Sequence, residues 1–333
     1  MPPMNAPRSL LLLPLAALFL FCPAGWEAQA RRTFVAEEEA HTTWLFWRRP
    51  AKNSPEEQLA HATRLERRGD LRRAARQYQR LPLFWPRSAE APKAQLSYAT
   101  LQHRRGKLEN AFQGYQKLLE RFPNHAPYEE VLERQFQIVE EMMERRYATF
   151  GIFPGFTRPK DAVEPLRTIV RNAPRWERSA EAQYLLGSIH EESGDYELAV
   201  VEYMNTMIRH PHSPFAESAA FARCRSLMQL AERGRYDLEQ WQEAWFALNL
   251  FRATYPESEH TEAVQAFMQQ AHRHMARAAF DVAVFYDENT RNQKAALVAY
   301  RSFAERFPNS EWTPRAQRRI EALSRKVEVL DAN

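Results

Sequence analysis

The chain has 333 residues, of which 26% are charged and 44% hydrophobic, with only 9 glycines and 2 cysteines. That balance excludes collagen-like, low-complexity and disulfide-framed chains and leaves room for two or three ordinary domains or one long array. A net charge of +4 reads as dispersed along the chain, which does not imply nucleic acid, and no Asn-Gly or Asp-Gly hairpin signal occurs.

In chain order, residues 1–30 have the form of a secretory signal. Arg8 supplies the positive start, Leu10 to Phe21 the apolar run, and Ala28-Gln29-Ala30 a small-x-small cleavage site. The apolar run is short for a membrane span. The mature chain is therefore expected to start near Arg31. Cys22 falls inside this segment and follows Leu20-Phe21, whereas a lipid-attachment signal has a small residue just before its cysteine. Cleavage after Ala30 and lipidation at Cys22 both stay open. With the signal removed, Cys224 is the one remaining thiol, so the fold depends on packing.

Residues 31–53 contain Trp44, Phe46 and Trp47 followed by Arg48, Arg49 and Pro50. They form either an extended arm packed on the first helices or an interfacial anchor, with tryptophans at headgroup level and arginines at phosphates. From Ser54, an N-cap followed by Pro55 at the first helical position, helices are expected at 54–68, 70–81, 88–105, 107–121, 127–147, 179–192, 196–209, 214–232, 238–254, 259–286, 292–306 and 312–328.

The helices repeat a plan. An alanine precedes a proline by twelve residues six times: Ala74/Pro86, Ala111/Pro123, Ala162/Pro174, Ala199/Pro211, Ala244/Pro256 and Ala296/Pro308. Four residues after each alanine stand Tyr78, Tyr115, Leu166, Tyr203, Leu248 and Tyr300, and seven after it Leu81, Leu118, Ile169, Thr206, Phe251 and Phe303. Offsets of 0, 4 and 7 share one helical stripe, and only Thr206 breaks its apolar rule. Gly69, Gly106 and Gly194 mark the turn before three of these helices. Helix–turn–helix units with a small residue in the first helix (Ala62, Ala99 and Gly187, each twelve before its alanine) resemble tetratricopeptide repeats. Phe150, Glu232 and Val284 fill that position in the third, fifth and sixth units, so their first helices are expected to be shifted or longer. Trp241, Trp245, Phe246 and Phe251 make the 238–254 helix the most aromatic, and it is expected to be buried.

The expected fold is all-α: a right-handed superhelical α-solenoid of about six tetratricopeptide-like helix pairs. Units 1–2 cover 54–126, unit 3 covers 127–178 and unit 4 covers 179–213. Units 5–6 cover 214–311, and 312–333 form a capping helix and tail. That last helix puts Trp312, Ala316, Ile320, Leu323 and Val327 on one stripe and Arg315, Arg318, Arg319, Arg325 and Lys326 on its wet faces. Unit 3 contains the odd loop 148–159, in which Phe150, Ile152, Phe153 and Phe156 sit among glycines and prolines. It is either a cap on the groove or a hydrophobic contact loop.

The Trp85-Pro86-Arg87-Ser88 segment, the Phe122-Pro123 and Phe307-Pro308-Asn309-Ser310 turns and the Gly151-to-Phe156 loop resemble the BamD-type outer-membrane assembly proteins over about 54–327. The resemblance implies a non-catalytic periplasmic scaffold at the inner face of the outer membrane, peripheral to it and a monomer within a hetero-complex. Its implied partners are barrel-assembly subunits and unfolded outer-membrane proteins. The alternative is a general periplasmic adaptor for envelope division or polysaccharide export.

No nucleophile elbow, phosphate loop, dinucleotide loop or zinc-protease motif occurs, so neither an enzymatic activity nor a cofactor is expected. His272 and His274 point to different helix faces, Cys224 is expected to be a small buried residue, and Glu140, Glu141 and Glu144 are expected to pair with Arg145 or Arg146. The partner-binding candidates are Gln58, Gln95 and Gln183, each sixteen residues before a key alanine, with Tyr98 and His190 on the neighbouring surface and Phe153 and Phe156 in the loop. The glutamines either bond the backbone of an extended peptide or satisfy contacts between helices.

Overall fold

The computed structural model describes residues 49–147, 156–234 and 238–332. Two compact units, 1–105 and 106–333, divide the chain. The signal, the aromatic run at 44–47 and Phe153 lie outside the described residues.

The first unit holds α1 (Pro55–Arg67), α2 (Leu71–Phe84) and α3 (Glu90–Arg104). The Ser54 hydroxyl accepts from the Glu57 backbone N–H at 3.2 Å, with Pro55 following. Gly69 makes the α1–α2 turn at φ +80°, a left-handed conformation in which a Cβ would be strained. Helix α2 runs past its expected end at 81 and takes Pro82 into its last turn, where the ring removes the N–H that residue 82 would donate to the Tyr78 carbonyl.

The second unit holds α4 (Leu108–Arg121), α5 (Tyr128–Glu144), α6 (Val163–Asn172), α7 (Ser179–Glu192), α8 (Tyr196–Arg209) and α9 (Phe215–Arg233). It continues with α10 (Leu238–Thr254), α11 (Thr261–Val284), α12 (Gln293–Arg306) and α13 (Thr313–Ala332). Consecutive helices pack on one another, and α9 also touches α7 and α11, the first helices of the flanking units. Contact restricted to neighbouring units is the mark of a repeat array. The fold is thus of the all-α, α-solenoid class, with α1 to α13 among the described residues. Among the described residues it is joined by a two-residue strand pair, β1 (Arg146–Tyr147) with β2 (Phe156–Thr157), antiparallel with Arg146 opposite Thr157. It closes the stem of the 148–159 segment by backbone hydrogen bonds, where a plain loop was expected.

The alanine register is the core. All six alanines and the residues four and seven after them are no more than 2% exposed. Thr206 joins them because its hydroxyl donates to the Glu202 carbonyl at 3.1 Å, one turn back, so the polar group is satisfied inside the helix. From α9 to α13 the buried side chains form one continuous cluster around Trp241, Phe280 and Phe303. The long α11 keeps helical geometry through Val284 and ends in a π turn at Phe285–Asn289, which accounts for the displaced small position of that unit.

Two burial expectations need correction. Trp241 and Phe251 are buried in α10, but Phe246 is 69% exposed. It stands two residues after Ala244, about 200° around the helix from the buried stripe. In α13, Ala316 and Leu323 are buried as the stripe requires, whereas Arg319 does not simply face water. It donates twice to Asp287, through Nε and Nη2 at 2.7 Å each.

Candidate binding surfaces

The recurring glutamines are buried, and two of them show why they recur. Gln58 in α1 donates through Nε2 to the Gln77 carbonyl (3.1 Å) and side-chain oxygen (2.9 Å), while its own oxygen accepts from the Ala51 and Lys52 backbone N–H groups. Gln183 in α7 donates to Glu202 at 2.7 Å. Gln77 and Glu202 both stand three residues after the key alanine of their unit. The equal spacing is therefore one interhelix bond repeated, not a row of amides offered to a peptide. Gln95 is buried in α3 as well. Tyr98 remains half-buried at a recess between α2 and α3. The backbone of Phe156 pairs with Tyr147.

His190, in the last turn of α7, is buried, and neither ring nitrogen has a hydrogen-bond partner. Its Nδ1 lies 4.0 Å from the Asp195 carboxylate, which Lys160 engages at 2.7 Å. Arg167 approaches Glu202 at 3.8 Å on the same side. Burial pushes the His190 pKa below its ordinary value, against the pull of Glu202 and Asp195. Just below pH 6.5 the unfolded chain then binds more protons at this site than the native one. Stability contributed by neutral His190 is full above that range and lost as the pH falls through it. Urea midpoints between pH 7.5 and 5.5 should fall less steeply in His190→Gln than in wild type, and parallel slopes would show that the histidine is not held neutral.

A second network was not read from the sequence. In three units a tyrosine four residues after the key alanine donates to a carboxylate at the end of the preceding helix, which also holds an arginine from the next unit. Tyr78 donates to Glu66 at 2.8 Å, and Arg104 to the other oxygen at 2.7 Å. Tyr203 donates to Glu191 at 2.7 Å, and Arg225 engages Glu191 through two nitrogens at 2.6 and 2.7 Å. Tyr300 approaches Asp287 at 3.4 Å, where Arg319 is bidentate. The signal was present as acids eight or nine residues before Ala74, Ala199 and Ala296. A further hub is Arg178, which bonds Glu133, Glu140 and Glu181 and lies 3.8 Å above the Phe136 ring. Glu140 thus pairs across helices with Arg178.

Exposed apolar side chains recur in register on the second helices of units 4–6, with others at Tyr128, Val282, Phe285 and Tyr286. Val201, Phe246 and Val298, each two residues after the key alanine, are 46%, 69% and 67% exposed. In units 1–3 the same position is Arg76, Gln113 and Glu164. Leu198 and Ile208 on α8 and Leu250 on α10 extend this exposed apolar set. On the same three-unit segment, a cleft of about 440 Å³ opens between α10, α11 and the turn before α13, lined by Trp245, Met268, His272, Arg273, Glu311 and Trp312. Its size and mixed aromatic and polar lining suit a peptide side chain. His272 rests between Trp245 and Phe307, while His274 stacks on Trp241 at 4.1 Å, so the two histidines serve different neighbours. Cys224 is buried and free, and burial pushes its thiol up to about 12, far from a reactive thiolate. Among the described residues no cluster of three or more His, Cys, Asp or Glu is placed to hold a metal ion, and no helix is long and apolar enough to cross a membrane.

Comparison with known proteins places these features. Residues 157–298 match the YfiO family, described as outer membrane lipoprotein, and residues 59–126 match a tetratricopeptide-repeat family. The chain is a tetratricopeptide-repeat protein that resembles the BamD-type outer membrane lipoproteins. No curated protein matches it. Among solved structures it is similar to a tetratricopeptide repeat protein from Parabacteroides merdae, at 16% identity and TM-score 0.28 over 81% of this chain and 98% of that one. It is also similar to PilW, a type IV pilus biogenesis factor, at 14% identity and TM-score 0.27 over 80% and 100%. The apo quorum sensor NprR from B. thuringiensis is similar at 14% identity and TM-score 0.32 over 90% and 84%. Repeats of this kind bind other proteins.

Proposed function

We propose that this protein is a non-catalytic scaffold of outer-membrane β-barrel protein assembly, working on the periplasmic face of that membrane. The observation that carries the proposal is the match of residues 157–298 to an outer membrane lipoprotein family, over a segment that exposes Val201 and Phe246 where a self-contained array would be polar. An exposed apolar ridge repeated in register on successive helices is what an array offers to a partner protein. In this proposal the C-terminal units 4–6 hold a folded subunit of the assembly machinery, and the N-terminal repeats meet extended segments of unfolded outer-membrane proteins. Specificity among partners is set most by the irregular units 3, 5 and 6 and the Gly151–Phe156 loop. Attachment runs through a lipid on Cys22 or through partners alone, and the mass of the mature N-terminus separates the two.

Depletion in cells tests the proposal. Folded outer-membrane barrels should fall while inner-membrane proteins stay constant. Unchanged barrel levels, with a defect in division or polysaccharide export instead, would make the chain a general envelope adaptor.

A further inference from the structure

Charge is not evenly divided between the two units. Residues 54–105 carry eleven Lys and Arg against five Asp and Glu, a net of +6, while residues 106–333 carry 29 against 33, a net of −4. Residues 1–53 add 6 against 4, a net of +2, so the overall +4 conceals a basic start and an acidic remainder. Within that unit some cations are already used: Arg73 pairs with Asp70 at 3.4 Å and Arg104 with Glu66 at 2.7 Å. Arg72, Arg76 and Arg105 have no carboxylate partner among the described residues. Arg105 makes one side-chain hydrogen bond, to the neutral Gln102 at 3.1 Å. These three arginines gather around one recess of about 220 Å³ between α2 and α3, completed by Ala75, Gln79 and Tyr98.

From this geometry we infer that the recess is a docking site for an acidic segment of a partner protein, with Arg72, Arg76 and Arg105 receiving carboxylates and Tyr98 forming the wall. This rests on the reading of the chain as a protein-binding array but not on which assembly it serves. Three observations carry it. Guanidinium groups converging without carboxylates raise the local positive potential and leave forked donors free for planar carboxylates. The recess is smaller than a cavity for a whole small molecule and of a size for one or two side chains. A recess set between two helices admits protruding side chains and not a flat headgroup surface, which favours an acidic peptide over an anionic membrane. The recess lies on the second helix of unit 1 and the first helix of unit 2, where Tyr98 is the only one of the sequence-derived candidates that it includes.

The test uses the full chain and amide-capped 12-residue peptides alternating aspartate with alanine, or asparagine with alanine, followed by fluorescence anisotropy. The aspartate peptide should bind and the asparagine peptide should not, with affinity falling as salt rises. The combined variant R72Q/R76Q/R105Q should lose about tenfold or more in affinity, because three charge-assisted contacts are removed together. R73Q should bind as wild type, and R72K/R76K/R105K should bind between wild type and the glutamine variant, a control against misfolding. Equal binding of the aspartate peptide to wild type and glutamine variant would overturn the inference. So would sedimentation with phosphatidylglycerol vesicles that is lost in the variant while peptide binding persists. Loss of contact with the barrel-assembly machinery in cells would leave the peptide result untouched, so the two proposals fail separately.

Discussion

Gly187→Val should destabilise the fourth repeat by about 3 kcal/mol, the upper range of overpacking in a close-packed interior. A Cβ built on Gly187 would lie 2.6 Å from both Cδ1 and Cε1 of Tyr203. The ring has nowhere to go. It is fully buried, its hydroxyl is tied to Glu191 at 2.7 Å, and Tyr184 packs on it with ring centroids 5.5 Å apart. Gly187→Ala should cost less, because the better helix propensity of alanine, about 1 kcal/mol, offsets part of the clash. Unit 1 has Ala62 at the same register, fully buried, twelve residues before Ala74. There the register accommodates a methyl; in unit 4 it does not. Hydrogen exchange across α7 and α8, read with urea unfolding, checks this. Undiminished protection in the valine variant would mean that the helices separate freely.

Glu191→Ala should cost about 3 kcal/mol, most of it at the Tyr203 hydroxyl. Removing the carboxylate leaves that buried donor unpaired, at about 1–3 kcal/mol, and releases Arg225, whose side chain is exposed enough to regain water. Burial, then the bond to Glu191, holds the Tyr203 pKa well above that of a free phenol, so the hydroxyl stays a donor throughout the ordinary pH range. Tyr203→Phe removes the orphaned group. The double variant should therefore be less damaged than the sum of the singles, a coupling of about 1 kcal/mol or more. Additive losses would show that tyrosine and glutamate act independently. Because Arg225 belongs to α9, the same carboxylate joins unit 4 to unit 5, and its removal should also loosen exchange protection at the start of that next helix.

What the sequence disclosed and what it hid divide along a physical line. The alanine register was legible because helix packing leaves a periodic trace, and Ala199, Tyr203 and Thr206 are buried as their spacing requires. Even the polar Thr206 fits once its hydroxyl is bonded within its own helix. Polar side chains leave no such trace of direction. Gln58, Gln95 and Gln183 keep the alanine register in three of the six units, yet spacing alone does not say whether an amide faces a groove or the neighbouring helix. The Glu191–Tyr203–Arg225 bridge links residues 34 apart and becomes visible only when the units are stacked. Phe246 misled in the opposite sense: an aromatic-rich helix suggests full burial, but the offset of two residues from Ala244 turns that ring to solvent. The basic recess of unit 1 was hidden by the whole-chain charge, which averages a basic start against an acidic remainder.

Units 4–6 are proposed to hold a barrel-assembly partner on their exposed apolar ridge. Photo-crosslinkable residues placed at Phe246 and Val298 in growing cells, with mass spectrometry of the products, test it most directly. Adducts to a subunit of the outer-membrane barrel-assembly machinery at both positions, and none from a crosslinker at Glu164 in unit 3, are the predicted result. Adducts only to proteins outside that machinery, or none at either ridge position, would contradict it.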